Sequence, residues 1–251
     1  MKLVTFNIRL DWNRDGANNF CYRKDMILKK IGDEKPDIIC FQEVLPHVAL
    51  WLKENLTQYY IVGCPREVNF QGEQTCIAFL PGRFNLMKLD CYWLSPTPFV
   101  PGSRYEVQSD CPRICTEATF HHLPSNKVFR LTNTHLDHEG HPARILGVKQ
   151  ILEKLKNEPF FPDAPCVFVG DMNAEPDSPE MLHVLENSNM VDFATNLGGT
   201  YHGFHTVEPV KIDYIYADPR IRCTNVYKWT DNENGVFLSD HYPVCAEIEL
   251  L

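Results

Sequence analysis

Residues 127–144 read KVFRLTNTHLDHEGHPAR, and the fold turns on whether this run is a polar-tipped strand or a histidine-rich metal helix. Phe129 and Leu131 alternate on one face, and period-two spacing carries Asn133, His135 and Asp137 onto that face. A zinc helix of the HExxH kind needs histidines four residues apart. Here His138-Glu139-Gly140-His141 is one residue short, and Gly140 and Pro142 break any helix through it. The run therefore reads as a strand with His135 at its end. His138 and His141 become loop residues ahead of a helix over 141–157, where Pro142 suits the first turn and Ile145, Val148, Ile151, Leu152 and Leu155 share a face.

Other segments end the same way. KLVTFNIR (2–9) carries Asn7 near its end, PDIICFQE (36–43) stops at Glu43, and PCVFVGDMN (165–173) alternates Val167 and Val169 into Asp171 and Asn173. Near-continuous apolar runs suit strands covered on both sides, and polar groups at their ends would stand at the mouth of the core. KIDYIY (211–216) puts Asp213 inside a β-rich stretch, a costly place for an unpaired carboxylate. SDHYPVCAEIEL (239–250) puts Asp240 and His241 just before the last strand. Asp213 is the natural partner for His241, since a carboxylate on one ring nitrogen sets the tautomer and raises the basicity of the other. Helices are expected over 21–34, 43–56 and 178–187, and strands at about 211–217, 222–229 and 243–249. This mixed order, with no Gly-rich dinucleotide loop, favours an α/β fold of stacked sheets with outer helices.

Composition sets the outer limits. Apolar residues make up 44% of 251, enough for a sizeable core, and without a linker or repeat one domain over 1–251 is expected. The opening MKLVTFNIRLDW is broken by Thr5 and Asn7, unlike a signal peptide, and no apolar run is long enough for a membrane span. A cytoplasmic location is the expectation, with the ten cysteines as free thiols. CPRIC (111–115) has no second cysteine pair, which argues against structural zinc. With 24 basic against 33 acidic residues and a net charge of −9, the chain lacks the basic stripe of a non-specific nuclease. A small phosphorylated substrate remains compatible.

TFNIR, FQE, NTHLDH, GDMN, IDYIY and SDHYPV, in this order from residue 5 to residue 244, together resemble the signature of the endonuclease/exonuclease/phosphatase superfamily. PRICTEATF, NAEPDS and GTYHGF resemble stretches of a little-characterised bacterial subgroup of it. The resemblance implies a four-layer α-β-β-α sandwich of two mixed sheets with outer helices, Mg²⁺ or Mn²⁺, and phosphoester hydrolysis. It makes Glu43 the principal metal ligand, with Asn7 and Asp240 beside it. It assigns catalytic roles to Asp171, Asn173, His135 and the Asp213–His241 dyad. The hard oxygen donors suit Mg²⁺, and His135, Asn173 and His241 suit the growing charge on phosphoryl oxygens. The base that takes the proton of the attacking water is either His241 or Asp171, with Asp171 the preferred choice.

For the substrate the rim loops offer Trp12 and Phe204 as stacking groups, and Arg113 as a phosphate-binding group. The insertions with which deoxyribonuclease relatives grip duplex DNA are not evident, and the PAWCDRI-like motif of inositol-phosphate phosphatases is absent. A phosphodiesterase or phosphatase for a nucleotide-like or sugar-phosphate substrate is the first reading. An exo- or endonuclease on short single strands is the second, and a non-catalytic phospholigand-binding module the third.

Overall fold

In the computed structural model, which describes residues 1–251, the apolar runs pair into two six-stranded mixed sheets. The strands in chain order are β1 (Lys2–Asn7), β2 (Ile38–Val44), β3 (Tyr60–Val62), β4 (Gln74–Phe79), β5 (Phe84–Trp93), β6 (Ile114–His122) and β7 (Lys127–His135). They continue with β8 (Cys166–Asp171), β9 (Val191–Asp192), β10 (Asp213–Ala217), β11 (Ile221–Lys228), β12 (Asn232–Glu233), β13 (Val236–Phe237) and β14 (Val244–Leu250). One sheet runs β11-β14-β1-β2-β4-β3 and the other β5-β6-β7-β8-β10-β9, while β12 and β13 form a separate hairpin. Each large sheet has one parallel pair, β1 with β2 and β7 with β8.

Three apolar layers follow from the alternation of side chains. Leu3, Ile38, Phe79 and Ile248 of the first sheet meet Phe120, Phe129, Leu131 and Val169 of the second between the sheets. Helices α1 (Phe20–Glu34) and α2 (Pro46–Asn55) cover the outer face of the first sheet through Ile27, Ile31, Val48 and Leu52. Helices α3 (His141–Lys156) and α4 (Pro179–Asn187) cover the second through Val148, Ile151, Met181 and Val184. The result is the expected four-layer sandwich, and each phenylalanine buried between the sheets contributes about 1.5–3 kcal/mol. No helix is long and apolar enough to cross a membrane.

Local details depart from the sequence expectations in two places. The helix expected over 43–56 begins only at Pro46, because Glu43 belongs to β2, where the register with β4 shifts between Phe41 and Val44. The strand expected to reach Asp137 stops at His135, and Asp137 turns away to accept the backbone N–H of Glu139 at 3.1 Å. A buried amide bridge ties the sheets near the ends of β2 and β7. Gln42 Nε2 donates to Asn133 Oδ1 at 2.7 Å, while Asn133 Nδ2 donates to the carbonyls of Phe41 and Cys76, both at 2.9 Å. The C-terminal ends of both parallel pairs therefore lie together at one edge of the sandwich.

Candidate functional site

At that edge the first sheet delivers Asn7 from the last position of β1 and Glu43 from the bulged end of β2. Glu43 has a left-handed backbone (φ 61°), a strain of the kind that persists where surrounding contacts over-determine it. Its Oε2 accepts the Leu10 N–H and its Oε1 the Asn7 Nδ2, both at 2.9 Å. The same Asn7 amide donates to Asp171 Oδ2 at 2.9 Å, so a single side chain joins the two sheets. Asp171 closes β8, after Gly170, whose φ of 144° and 1.9 Å clearance from the Thr134 carbonyl to any added Cβ exclude a side chain there. Asn173 follows with a left-handed φ of 47°. Its N–H donates to Asp171 Oδ1 at 2.9 Å and its Nδ2 to the Leu136 carbonyl at 3.0 Å.

The histidines enter from opposite sides. His135 Nε2 lies 3.5 Å from Asp171 Oδ2, and its Nδ1 is 3.9 Å from Glu73. His241 Nδ1 meets Asp213 Oδ2 at 2.9 Å, and its Nε2 stands 3.6 Å from Asp171 Oδ2 and 3.4 Å from Asn7 Nδ2. Thr200 Oγ1 accepts the N–H groups of Ile212 and Asp213 at 3.1 Å, which fixes the start of β10 and hence the dyad. Asp240 is held differently: its carboxylate lies 3.6 Å from Arg9, and its carbonyl accepts the N–H groups of His202 and Gly203.

Charge crowding governs the titration of this cluster. Burial pushes Asp171 up to about 7, with the opposing pull of His241 and the push of Asp213 next in size. Burial also works against the charged form of His241, but the carboxylates of Asp213 and Asp171 outweigh it and raise the ring to about 10. Burial raises Asp240 too, with Glu43 adding to the shift. For Glu43 burial is outweighed by the Asn7 and Leu10 donors, which hold it below the usual carboxylate range. His135 falls well below its ordinary value through burial and the nearby Arg113 and Arg66.

This donor set fits a hard divalent cation. Ligand atoms of Glu43, His135 and Asp171 lie within 4.8 Å of one another, as do those of Asp171, Asp213 and His241. Buried carboxylates that crowd one another are the arrangement that such a cation relieves. Asp240 stands outside both groups, beside Arg9.

The weaker sequence candidates scatter. Trp12 is exposed, with the guanidinium groups of Arg9 and Arg14 over its ring at 5.2 and 5.4 Å. Phe204 is half-buried on a left-handed turn (φ 57°), next to the residues that hold the Asp240 carbonyl. Arg113 is buried beside His138 Nδ1 at 2.9 Å, lining a cleft with Glu43 and His135. The three histidines of the opening run diverge, with His138 on Arg113 and His141 on Glu180 and Arg144.

Sequence reasoning missed several groups. Arg23, fully buried on α1, donates to the carbonyls of Asn18, Ile8, Leu238 and Arg9, and so clamps the segments that follow Asn7 and precede Asp240. Glu73 and its bidentate partner Arg66 (2.9 Å on both oxygens) come from the loop 63–73 between β3 and β4. Arg9 follows Asn7 within TFNIR, two residues on.

Residues 4–241 match a family model described as the Endonuclease/Exonuclease/phosphatase family. The structure is similar to the endonuclease/exonuclease/phosphatase from Bacteroides vulgatus, with a TM-score of 0.93 and 30% identity over 100% of this chain and 98% of that one. It shares its fold with the mannosyl-6-phosphatase of Bacteroides thetaiotaomicron, with a TM-score of 0.90 and 24% identity over 99% of each chain. Tyrosyl-DNA phosphodiesterase 2 of Homo sapiens is 26% identical over 200 residues, which cover 78% of this chain and 50% of that protein.

Proposed function

This chain belongs to the endonuclease/exonuclease/phosphatase family, and we propose that it is a divalent-metal-dependent phosphoester hydrolase acting by in-line attack of water. One observation carries the proposal: the Asn7 amide spans Glu43 and Asp171 at 2.9 Å each, 3.4 Å from a histidine that Asp213 holds on its far side. Acids, amides and imidazoles from both sheets thus face one small space, an arrangement that packing alone does not require.

Glu43 and Asn7, with Asp240 beside them, are proposed to hold Mg²⁺ or Mn²⁺. Bound there, the cation supplies neutralisation of the anionic ester and Lewis-acid polarisation of a phosphoryl oxygen. The chain's own groups do the rest. Asp171, near neutrality and aimed at the centre, orients the attacking water and takes its proton. His241, charged in the presence of its acids, donates to a phosphoryl oxygen through Nε2 while Asp213 keeps the ring in place. His135 and Asn173 are placed to donate to the remaining equatorial oxygens. Arg113 is the proposed substrate-binding cation, and Trp12 and Phe204 stand on the rim.

The relatives hydrolyse different esters, a sugar phosphate in one case and a DNA-linked phosphodiester in another, as their names state. The acidic charge of −9 favours a small nucleotide-like or sugar-phosphate substrate over nucleic acid. The test is hydrolysis of p-nitrophenyl phosphate and bis-(p-nitrophenyl) phosphate with Mg²⁺ or Mn²⁺. Activity is expected to vanish with EDTA and to fall about 10²–10⁴-fold in His241→Ala. Persistence of activity in that variant would refute the assignment. Salt-sensitive cleavage of single-stranded oligonucleotides, with both small esters untouched, would favour the nuclease reading instead.

A further inference from the structure

Arg113 is a buried cation with only one of its three nitrogens partnered. Its Nη2 meets His138 Nδ1 at 2.9 Å, but Nε and Nη1 are buried with no hydrogen-bond partner. The nearest acid, Asp137, has an oxygen 3.9 Å from Nε, beyond hydrogen-bond reach. That carboxylate is already engaged by Ser109 Oγ and by the N–H groups of Glu139 and Gly140. A buried N–H of a charged group without an acceptor is costly, so a native site that keeps one implies an acceptor brought from outside.

The place of that acceptor is set by the cleft around Arg113. Glu43 and His135, both members of the candidate site, line it together with Arg66, Glu73 and Arg113. Arg66 neutralises Glu73 through its two bonds of 2.9 Å, and Glu43 is bound to Asn7 and Leu10, so Arg113 remains the underpaired charge. The space measures about 10 Å³, close to what a single water needs. The space beside the guanidinium is narrow, so a bare oxygen enters it with less displacement than an oxygen carrying a carbon chain. An ester oxygen would also be a poorer acceptor for a guanidinium than an anionic one.

From this we infer that Arg113 closes a subsite for one unesterified phosphoryl oxygen; with His241 and the pair His135 and Asn173 directed to the other two equatorial oxygens, all three must be free of carbon, and the substrates are phosphomonoesters rather than diesters. The inference deepens the hydrolase reading above and rests on it. Two measurements separate their fates. The first compares kcat/KM for p-nitrophenyl phosphate with that for its methyl diester in wild type, Arg113→Met and Arg113→Lys. Wild type is expected to favour the monoester about 10²-fold, and Arg113→Met to shrink that ratio at least about tenfold. Arg113→Lys keeps the charge without the planar fork and should recover part of the ratio. A wild type that prefers the diester overturns the inference, as does a ratio unchanged in both variants at unaltered melting temperature.

The second measurement is calorimetric titration of inorganic phosphate into EDTA-treated protein. Binding is expected to weaken at least about tenfold in Arg113→Met. If both esters prove inert yet phosphate binding depends on Arg113, the hydrolase reading falls while the subsite stands. Phosphate binding indifferent to Arg113 removes the subsite whatever the esters do.

Discussion

Two regions of the second sheet bury carboxylates, and they differ in every other respect. At the inter-sheet edge, Asp171 and Asp213 are bonded to Asn7, Asn173, His241 and the backbone, with partners drawn from strands far apart in the chain. On the outer face, beneath α3, Glu117 is 1% exposed and neither of its oxygens has a partner. The hydroxyls of Thr119, Thr132 and Tyr92 on the same face are also unpartnered. Its strand neighbours are Asp90 and Thr132 in register, so the group arises within one sheet and not by convergence. Burial of acids alone is thus a poor guide to function. Partners from distant segments, aimed at a common space, are the better one.

If that contrast is sound, deleting a polar group at the edge should strand its partners, whereas deleting one beneath α3 should relieve strain. Asn133→Ala tests the first half with the largest expected effect. It removes the donor to the Phe41 and Cys76 carbonyls and the acceptor for Gln42 Nε2, all buried. A loss of about 2–4 kcal/mol is expected from denaturant unfolding, since several groups lose their bonds at once. A loss below about 0.5 kcal/mol would show that the bridge is replaceable, and would weaken the contrast.

The edge should also respond to protons where the outer face does not. Asp171, pushed up to about 7 by burial, faces the proposed cation site beside Glu43 and His135, and its charged form strengthens the hold on a cation there. Above that pH the carboxylate is charged and metal binding is at its strongest. Below it a proton competes, so Mn²⁺ affinity should fall by up to about tenfold per pH unit between 7 and 6. Calorimetry in buffers of different ionisation enthalpy should detect the released proton. Asp171→Asn should flatten the dependence, and a pH-independent affinity in wild type would contradict the crowding described above.

What was legible in the sequence follows the same division. Strand-end groups such as Asn7, His135 and Asp171 announce themselves because a period of two carries a polar residue onto a face that apolar neighbours have already defined. The pairing of His241 with Asp213 is legible as chemistry, though the register that joins them is not local. Nothing in FQEV marks the left-handed residue that turns Glu43 inward, because its conformation is imposed by the slipped pairing of β2 with β4. Arg66 and Glu73 pair through a loop closed on itself, so their spacing carries no period to detect. Glu117 is silent in the sequence for a related reason: its burial on the outer face of β6 is set by the docking of α3 and not by its neighbours in the chain.

Glu117 therefore supplies the smallest and most discriminating test. Burial raises its pKa above the usual glutamate range, with Lys154 and Lys88 pulling the other way. Those lysines are already committed, Lys154 to Asp90 at 2.7 Å and Lys88 to Glu158. An acid whose folded pKa is raised is neutral in both states below the unfolded value, and there it carries no penalty. As pH rises through the unfolded pKa, the unfolded chain gains by ionising first, and stability declines until the folded pKa is passed. Glu117→Gln removes the ionisation, so it should stabilise the protein at pH 7 by about 1 kcal/mol and by almost nothing near pH 4. Melting curves at the two pH values in wild type and variant decide it. A variant less stable at pH 7 would mean that the carboxylate has a partner after all, and the outer face would then have to be regarded as a second built polar site.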